Sequence, residues 1–230
     1  MNPVESNLPP AAALPTYPAK DVEELFLRTP ALYHNIAGHI EVGVAAQDGF
    51  VVDWGDGGPV ESVPAGQTSA AHDYAESKWR RLRCYNNQGN PIPLDAVQIT
   101  TGGGKWRVEN EHLAKLRGLA CGGSELDYLP PLDGLVSLEE LTLSGTQLAA
   151  LPSLRGLPAL ARIDLSGNQL SAAAIDRLLL DLDGRPSQPG GDKTLDYSDN
   201  PGSADGQRSP DATAARASLE AKGFIITSME

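Results

Sequence analysis

The 230-residue sequence predicts a mixed fold, in which a small region of antiparallel strands leads into a stack of repeated units. Three observations predict it. Apolar and polar residues alternate in "HIEVGV", "GFVVDW", "AAHDY" and "KWRRLRCY", with turn residues between the runs. From Leu116 onward the alternation gives way to a repeat of period 22. Toward the carboxyl end, two apolar patterns of helical spacing flank a return of the strand pattern. The length suits one large domain or two small ones, and two compact units are expected.

The first element, residues 1–35, reads as a proline-rich arm. Pro3, Pro9, Pro10, Pro15 and Pro18 forbid a continuous helix and favour extended chain that needs a foreign surface to become ordered. Two readings stay open: a solvated tail, or an arm docking on a neighbouring subunit. The stretch does not have the basic region and apolar core of a secretory signal.

The antiparallel region is expected over residues 36–101. Its sharpest feature is "VVDWGDGGPVES", where Asp53 and Asp56 stand among glycines. Asp-Gly between alternating strands predicts a two-residue hairpin, because glycine accepts the positive φ such a turn requires. A calcium loop needs several oxygen ligands at alternating positions before a glycine, and "DWGDGG" offers two carboxylates three apart. The aspartates are therefore expected to cap backbone amides. In "KWRRLRCY", placing Leu82 and Cys84 in the core sends Trp79, Arg81, Arg83 and Tyr85 to the other face. These four are candidate binding residues, since a stripe of rings and cations suits interfaces, although half-buried strand decoration has the same pattern.

"VVDWGDG" followed by "AHDY" resembles the polycystic-kidney-disease (PKD)-type immunoglobulin-like domain, whose pattern is WxFGDG or DWGDG and then HxY. The resemblance implies a small β-sandwich in which the GDG corner closes a hairpin. It assigns scaffold roles to Asp53, Gly55, Asp56, Gly57, His72 and Tyr74. After Tyr74 the chain departs from the pattern, with "AESKWRRLRC" in place of the usual glycine before the next aromatic strand.

The repeat is read by laying "LVSLEELTLSGTQL" over "LPALARIDLSGNQL". Leu138, Leu141, Leu143, Thr146 and Leu148 recur 22 residues later as Leu160, Ile163, Leu165, Asn168 and Leu170. Leu116, Leu119, Cys121, Ser124 and Leu126 hold the same phase one period earlier, and Leu94, Val97 and Ile99 one period before that. The last strand of the antiparallel region is thus expected to serve as the first rung of the repeat. No unit can hide its own leucines, so stacking must remove them from water. This pattern resembles the leucine-rich repeat, LxxLxLxxNxL, which implies one short strand per unit in a curved parallel sheet. The fold class that follows is a small antiparallel PKD/Ig-like β-sandwich and then a short leucine-rich-repeat α/β solenoid over residues 102–230. Residues beside the inward pair would face the open side of the sheet: Gly118, Ala120 and Gly122, then Glu140, Thr142 and Ser144, then Arg162, Asp164 and Ser166. Glu140, Thr142, Arg162 and Asp164 are the candidate binding residues there, with Glu140 beside Arg162; a solvated polar face is the plainer reading.

Caps complete the array. "SAAAIDRLLLDLDG" predicts a helix with Ser171 as N-cap and Gly184 as stop. "KTLDYSDNPG" restores the strand, with Leu195, Tyr197 and Asn200 in the places of Ile163, Leu165 and Asn168. A helix over Asp211–Lys222, a Gly223 stop and a strand at Phe224–Ile226 follow.

Composition narrows function. Thirty acidic against eighteen basic residues give a net charge of −12, which disfavours nucleic acid as a partner. Cys84 and Cys121 form no metal motif and read as small buried hydrophobes. No apolar run is long enough for a membrane span. "TTGGGKW" fails the phosphate-loop pattern, which needs a glycine at Ile99 and Ser or Thr at Trp106. GxSxG, HExxH and GxGxxG are missing from the sequence, and His34, His39, His72 and His112 are dispersed. No catalytic, cofactor-binding or metal-ligating residue is designated, and no cofactor is expected. A hydrolase would need a pocket around His72 or Asp53. The pairing of DWGDG sandwich with leucine-rich units looks like bacteriophage virion components, such as tail fibres and capsid decoration proteins, or bacterial surface adhesins. The expectation is a non-enzymatic virion protein assembled in the host cytoplasm. Its partners would be other virion proteins through the arm, a host surface protein or glycan, and further copies of itself. The alternative is an adhesin at the bacterial surface or an intracellular leucine-rich interaction module.

Overall fold

The computed structural model describes residues 32–34, 37–46, 48–78, 80–89, 91–92, 94–99, 106–107, 115–121, 129, 132, 134–186 and 189–229. The residues expected to form the arm, up to 31, and the candidate positions Trp79, Gly122, Ser124 and Leu126 lie outside them. The strands are β1 (Leu32–His34), β2 (Gly38–Gly43), β3 (Phe50–Asp53), β4 (Glu61–Val63), β5 (Ser69–Tyr74), β6 (Arg80–Asn86), β7 (Pro91–Ile92), β8 (Ala96–Ile99), β9 (Trp106–Arg107), β10 (Gly118–Cys121), β11 (Glu140–Thr142), β12 (Arg162–Asp164), β13 (Lys193–Asp196) and β14 (Phe224–Thr227). Helices α1 (Ala172–Asp183) and α2 (Pro210–Ala221) belong to the carboxyl half.

The strands form an antiparallel sheet and a mixed one. The first runs β4-β3-β6-β1-β9, with β7 also on β6; the second runs β14-β13-β12-β11-β10-β8-β2-β5. Strand β8 joins the two halves of the larger sheet, pairing antiparallel with β2 and parallel with β10. Val97 faces Leu119 and Ile99 faces Cys121, the 22-residue register expected from the sequence. The expected boundaries at 35/36 and 101/102 fall between strands that pair with each other. β1 pairs with β6 and β9, and β8 with β10.

Successive register pairs line up one residue from each of eight strands: Ala70, Val42, Val97, Leu119, Leu141, Ile163, Leu195 and Ile226. From Val42 to Leu195 none is more than 2% exposed. Leu94, Leu116, Leu138 and Leu160 form a buried file before this row, and Cys121, Leu143, Leu165 and Tyr197 one after it. At about 1.5–3 kcal/mol for each fully buried aliphatic side chain, the burial depends on adjoining strands, since a three-residue strand has no core of its own.

The asparagine position holds the turns together from inside. Asn168 Oδ1 accepts from Thr146 N (3.0 Å), Leu148 N (3.1 Å) and Thr146 Oγ1 (2.8 Å), while its Nδ2 donates to Leu143 O (2.7 Å) and Leu165 O (3.0 Å). Asn200 repeats the pattern one coil on, accepting from Leu170 N and donating to Leu165 O and Tyr197 O. One side chain thus satisfies the backbone of its own turn and of the turn before it, buried where water cannot. Gly145 and Gly167 (both φ +65°) and Asp199 (φ +54°) occupy the same left-handed corner of three successive coils.

The caps follow the sequence closely. Ser171 accepts from Ala174 N at the start of α1, which buries Ile175, Leu178, Leu179 and Leu182. Gly184 ends α1 at φ −79°, so this stop does not use glycine's left-handed conformation. α2 starts one residue earlier than expected because Pro210 is its first residue, with Ser209 accepting from Ala212 N. The helices are tied by Arg208, which reaches Ala172 O and Asp176, and by Lys222 to Asp183 (2.6 Å). Arg185 is buried and donates to Leu157 O, Leu160 O and Leu182 O, closing the coil that carries α1. Replacing Asn168 by Ala leaves buried amides and carbonyls of two coils unsatisfied; a loss of about 3 kcal/mol is expected in urea denaturation, against under about 0.5 kcal/mol for exposed Gln169→Ala.

Candidate binding surface

The Asp-Gly corner is wider than a two-residue hairpin. β3 and β4 pair from Phe50↔Val63 to Val52↔Glu61, leaving residues 54–60 as the connection. The reason lies in the side chains it must seat. Asp53 Oδ1 accepts from Gly55 N (3.0 Å) and its Oδ2 from Arg83 Nη2 (2.6 Å). Asp56 Oδ1 accepts from Gly58 N (2.8 Å), and its Oδ2 lies 3.0 Å from His72 Nε2. Tyr74 donates its hydroxyl proton to Trp54 O (2.8 Å), and Trp54 Nε1 donates to Glu61 (2.9 Å). His72 stacks on Trp54 with ring centroids 5.0 Å apart and meets Tyr74 edge-on at 4.6 Å. Asp53 and Asp56 therefore shape backbone and orient β5 and β6 side chains. Among the described residues no three His, Cys, Asp or Glu side chains are grouped as metal ligands would be.

β6 alternates as expected, with Leu82 and Cys84 in the main core, but its other face is not an open stripe. Arg83 is 6% and Tyr85 5% exposed. Tyr85 packs with Val51 and Val60 in a second small cluster, and the Arg83 guanidinium lies 5.7 Å from the Tyr85 ring centroid. The expectation that these two residues are offered to a partner is corrected: Asp53 pulls Arg83 inward, and Val51 on the neighbouring strand covers the tyrosine. Arg81 is half-buried. Burial pushes the Cys84 and Cys121 thiols up to about 12, which keeps them protonated and unreactive.

The open face of the parallel sheet brings the other candidates together. Glu140 and Thr142 on β11 stand opposite Arg162 and Asp164 on β12. Arg162 Nε and Nη2 donate to Glu140 Oε2 at 3.2 and 3.0 Å, in the pairing expected from the 22-residue offset. Both side chains are 48% exposed, so the pair contributes roughly 0–1 kcal/mol and leaves both groups accessible to a ligand. One period across, Arg117 and Glu139 form a two-point pair (3.1 and 2.8 Å), and this hydrogen bonding holds the Glu139 carboxyl below its ordinary range.

The groove continues beyond the four candidates to Thr194 and Asp196 on β13 and Ile225 and Thr227 on β14. Ile225, 72% exposed, caps its far end. The spacing lengthens from 22 to 32 between Arg162 and Thr194, where α1 and a glycine-proline loop are inserted, which takes Thr194 and Asp196 out of the 22-residue period, and Ile225 and Thr227 lie one longer unit beyond them. The alignment of "KTLDYSDN" with "ARIDLSGN" carries the signal. Asp164 and Asp196 are equivalent: each accepts through Oδ1 from the amide and hydroxyl of the serine two residues on, Ser166 and Ser198.

The corner supplies a sharp test of its scaffold role. A Cβ at Gly55 would lie 2.5 Å from Arg81 O, whereas one at Gly57 meets nothing within 4 Å; both residues have positive φ. Gly55→Ala is expected to lower the denaturation midpoint well beyond Gly57→Ala, whose cost is the conformational strain of about 1 kcal/mol alone. Comparison of the chain with protein-family models, with curated proteins and with solved structures gives no match, so its functional reading rests on this geometry and on the sequence patterns above.

Proposed function

We propose that this chain is a non-enzymatic recognition scaffold, working as a capsid-decoration or tail-fibre type component of a bacteriophage virion. The observation that carries the recognition reading is the open sheet face. Glu140, Thr142, Arg162, Asp164, Thr194, Asp196, Ile225 and Thr227 come from four adjacent strands in register, so their backbone needs no ordering when a partner binds. The groove is shallow and lined by hydroxyls, carboxylates, one guanidinium and one exposed aliphatic side chain, a composition suited to a protein or glycan surface.

Sequence resemblance carries the setting. A PKD-type reading of the antiparallel part is supported by the contacts of Asp56, His72, Trp54 and Tyr74 at the corner. A leucine-rich-repeat reading of the parallel part is supported by the 22-residue register and by the bonds of Asn168 and Asn200. That pairing of modules looks like virion components first and bacterial adhesins second. In this reading the amino-terminal arm attaches to the particle, while the sheet face is presented outward.

Peptide mass spectrometry of purified phage particles from the source strain tests the setting. The chain is expected there in many copies; its absence from particles and presence in the bacterial surface fraction would favour the adhesin reading instead. The face is tested separately with Thr194→Arg/Thr227→Arg, two exposed groove positions on β13 and β14. This variant is expected to melt within about 2 °C of wild type and to lose at least about tenfold in binding to the particle or cell surface that the wild type binds. Unchanged binding would remove the face from the account.

A further inference from the structure

His34 is wholly buried on β1, and its direct partner across the β1–β6 ladder is Arg80, a cation that is itself 7% exposed. Tyr74 of β5 receives both: the His34 ring lies 4.8 Å from its ring centroid at 51°, and the Arg80 guanidinium 4.4 Å. His72, also on β5, touches the same tyrosine edge-on and pairs with Asp56. On β9 the register partner of His34 is Trp106, an uncharged residue. Among the described residues, the charged and titratable groups seen against His34 are Arg80, Tyr74 and His72, with Asp56 beyond His72. Arg80 is anchored by its own donations to Glu76 O and Lys78 O, both 3.0 Å.

We propose that β1 is an acid-released latch. When His34 takes a proton from solvent, a second cation stands directly opposite Arg80 in a site closed to water, and β1 leaves its place between β6 and β9. Like charges opposed on antiparallel strands repel, and burial removes the solvent that would screen them. The latch is weak enough to respond, because three register pairs hold β1 to β6 and two hold it to β9. β6 keeps its separate pairing with β3, from Phe50↔Asn86 to Asp53↔Arg83, so release stays local.

The direction follows from where the proton binds. Burial, and then the Arg80 charge, push the imidazole down to about 3 from its ordinary 6.5. The closed strand therefore holds fewer protons than the open one between these values. Closure is strongest above pH 6.5 and weakens as pH falls from 6.5 toward about 3.

Backbone amide exchange of the full chain, followed residue by residue by NMR from pH 7.5 to 5 and corrected for intrinsic exchange, tests this. The opening equilibrium of the β1 amides is expected to rise by up to about tenfold per pH unit below about 6.5, while amides of the β3–β6 ladder stay level. His34→Gln should flatten that dependence, and His72→Gln should keep it. A flat profile in the wild type, or a slope that survives in His34→Gln, would overturn the proposal. Should His34→Gln not fold, the imidazole ring-proton resonance of wild-type His34 decides. It is expected to titrate only together with loss of β1 protection, and titration near 6.5 with β1 still protected would overturn the latch.

Discussion

One aliphatic row, running from Ala70 through Val97 to Ile226 across eight strands, is the constraint on which the molecule depends. A strand of three or four residues cannot persist alone, and β11 and β12 have three each. They exist because each inward leucine or isoleucine is covered by the one on the next strand. β8 carries this coupling across the change of architecture. Its Val97 closes the antiparallel layer on one side and starts the parallel stack on the other, so both halves draw on one core.

Close stacking forces the backbone of each coil to turn in a dry environment. Asn168 and Asn200 answer that need, since an amide side chain has donors and acceptor enough to serve two turns at once. With the interior settled by aliphatic rungs and asparagine bonds, the outward positions of the same strands are released from structural duty. Glu140, Arg162 and Thr194 sit there in register, and this separation of roles along each strand lets the open face change without loss of the fold.

Much of this was legible from the chain because period and partner coincide. The offset of 22 separates the residues that pair: Leu119 with Leu141, Leu141 with Ile163, Glu140 with Arg162. Ser171 and Ser209, each just before an apolar helical pattern, mark their helices for a local reason. What the sequence hid depends on distant residues. That Asp53 draws Arg83 inward joins positions thirty apart, so nothing in "KWRRLRCY" separates a binding stripe from a buried one. The seven-residue corner depends on seating Trp54 against Glu61 and Tyr74, contacts no dipeptide signal carries. The burial of His34 against Arg80 and Tyr74 is equally invisible, because those partners lie forty or more residues further along the chain.

The coupling through Val97 is open to direct measurement. Trp54, Trp79 and Trp106 all lie in the amino-terminal half, whereas α1 and α2 lie in the carboxyl half, so fluorescence and helical circular dichroism report on different halves. Val97→Ala should shift both urea transitions to the same lower midpoint, because the row it interrupts is shared. A fluorescence transition that moves while the helical signal keeps its wild-type midpoint would show two independent cores and contradict the account.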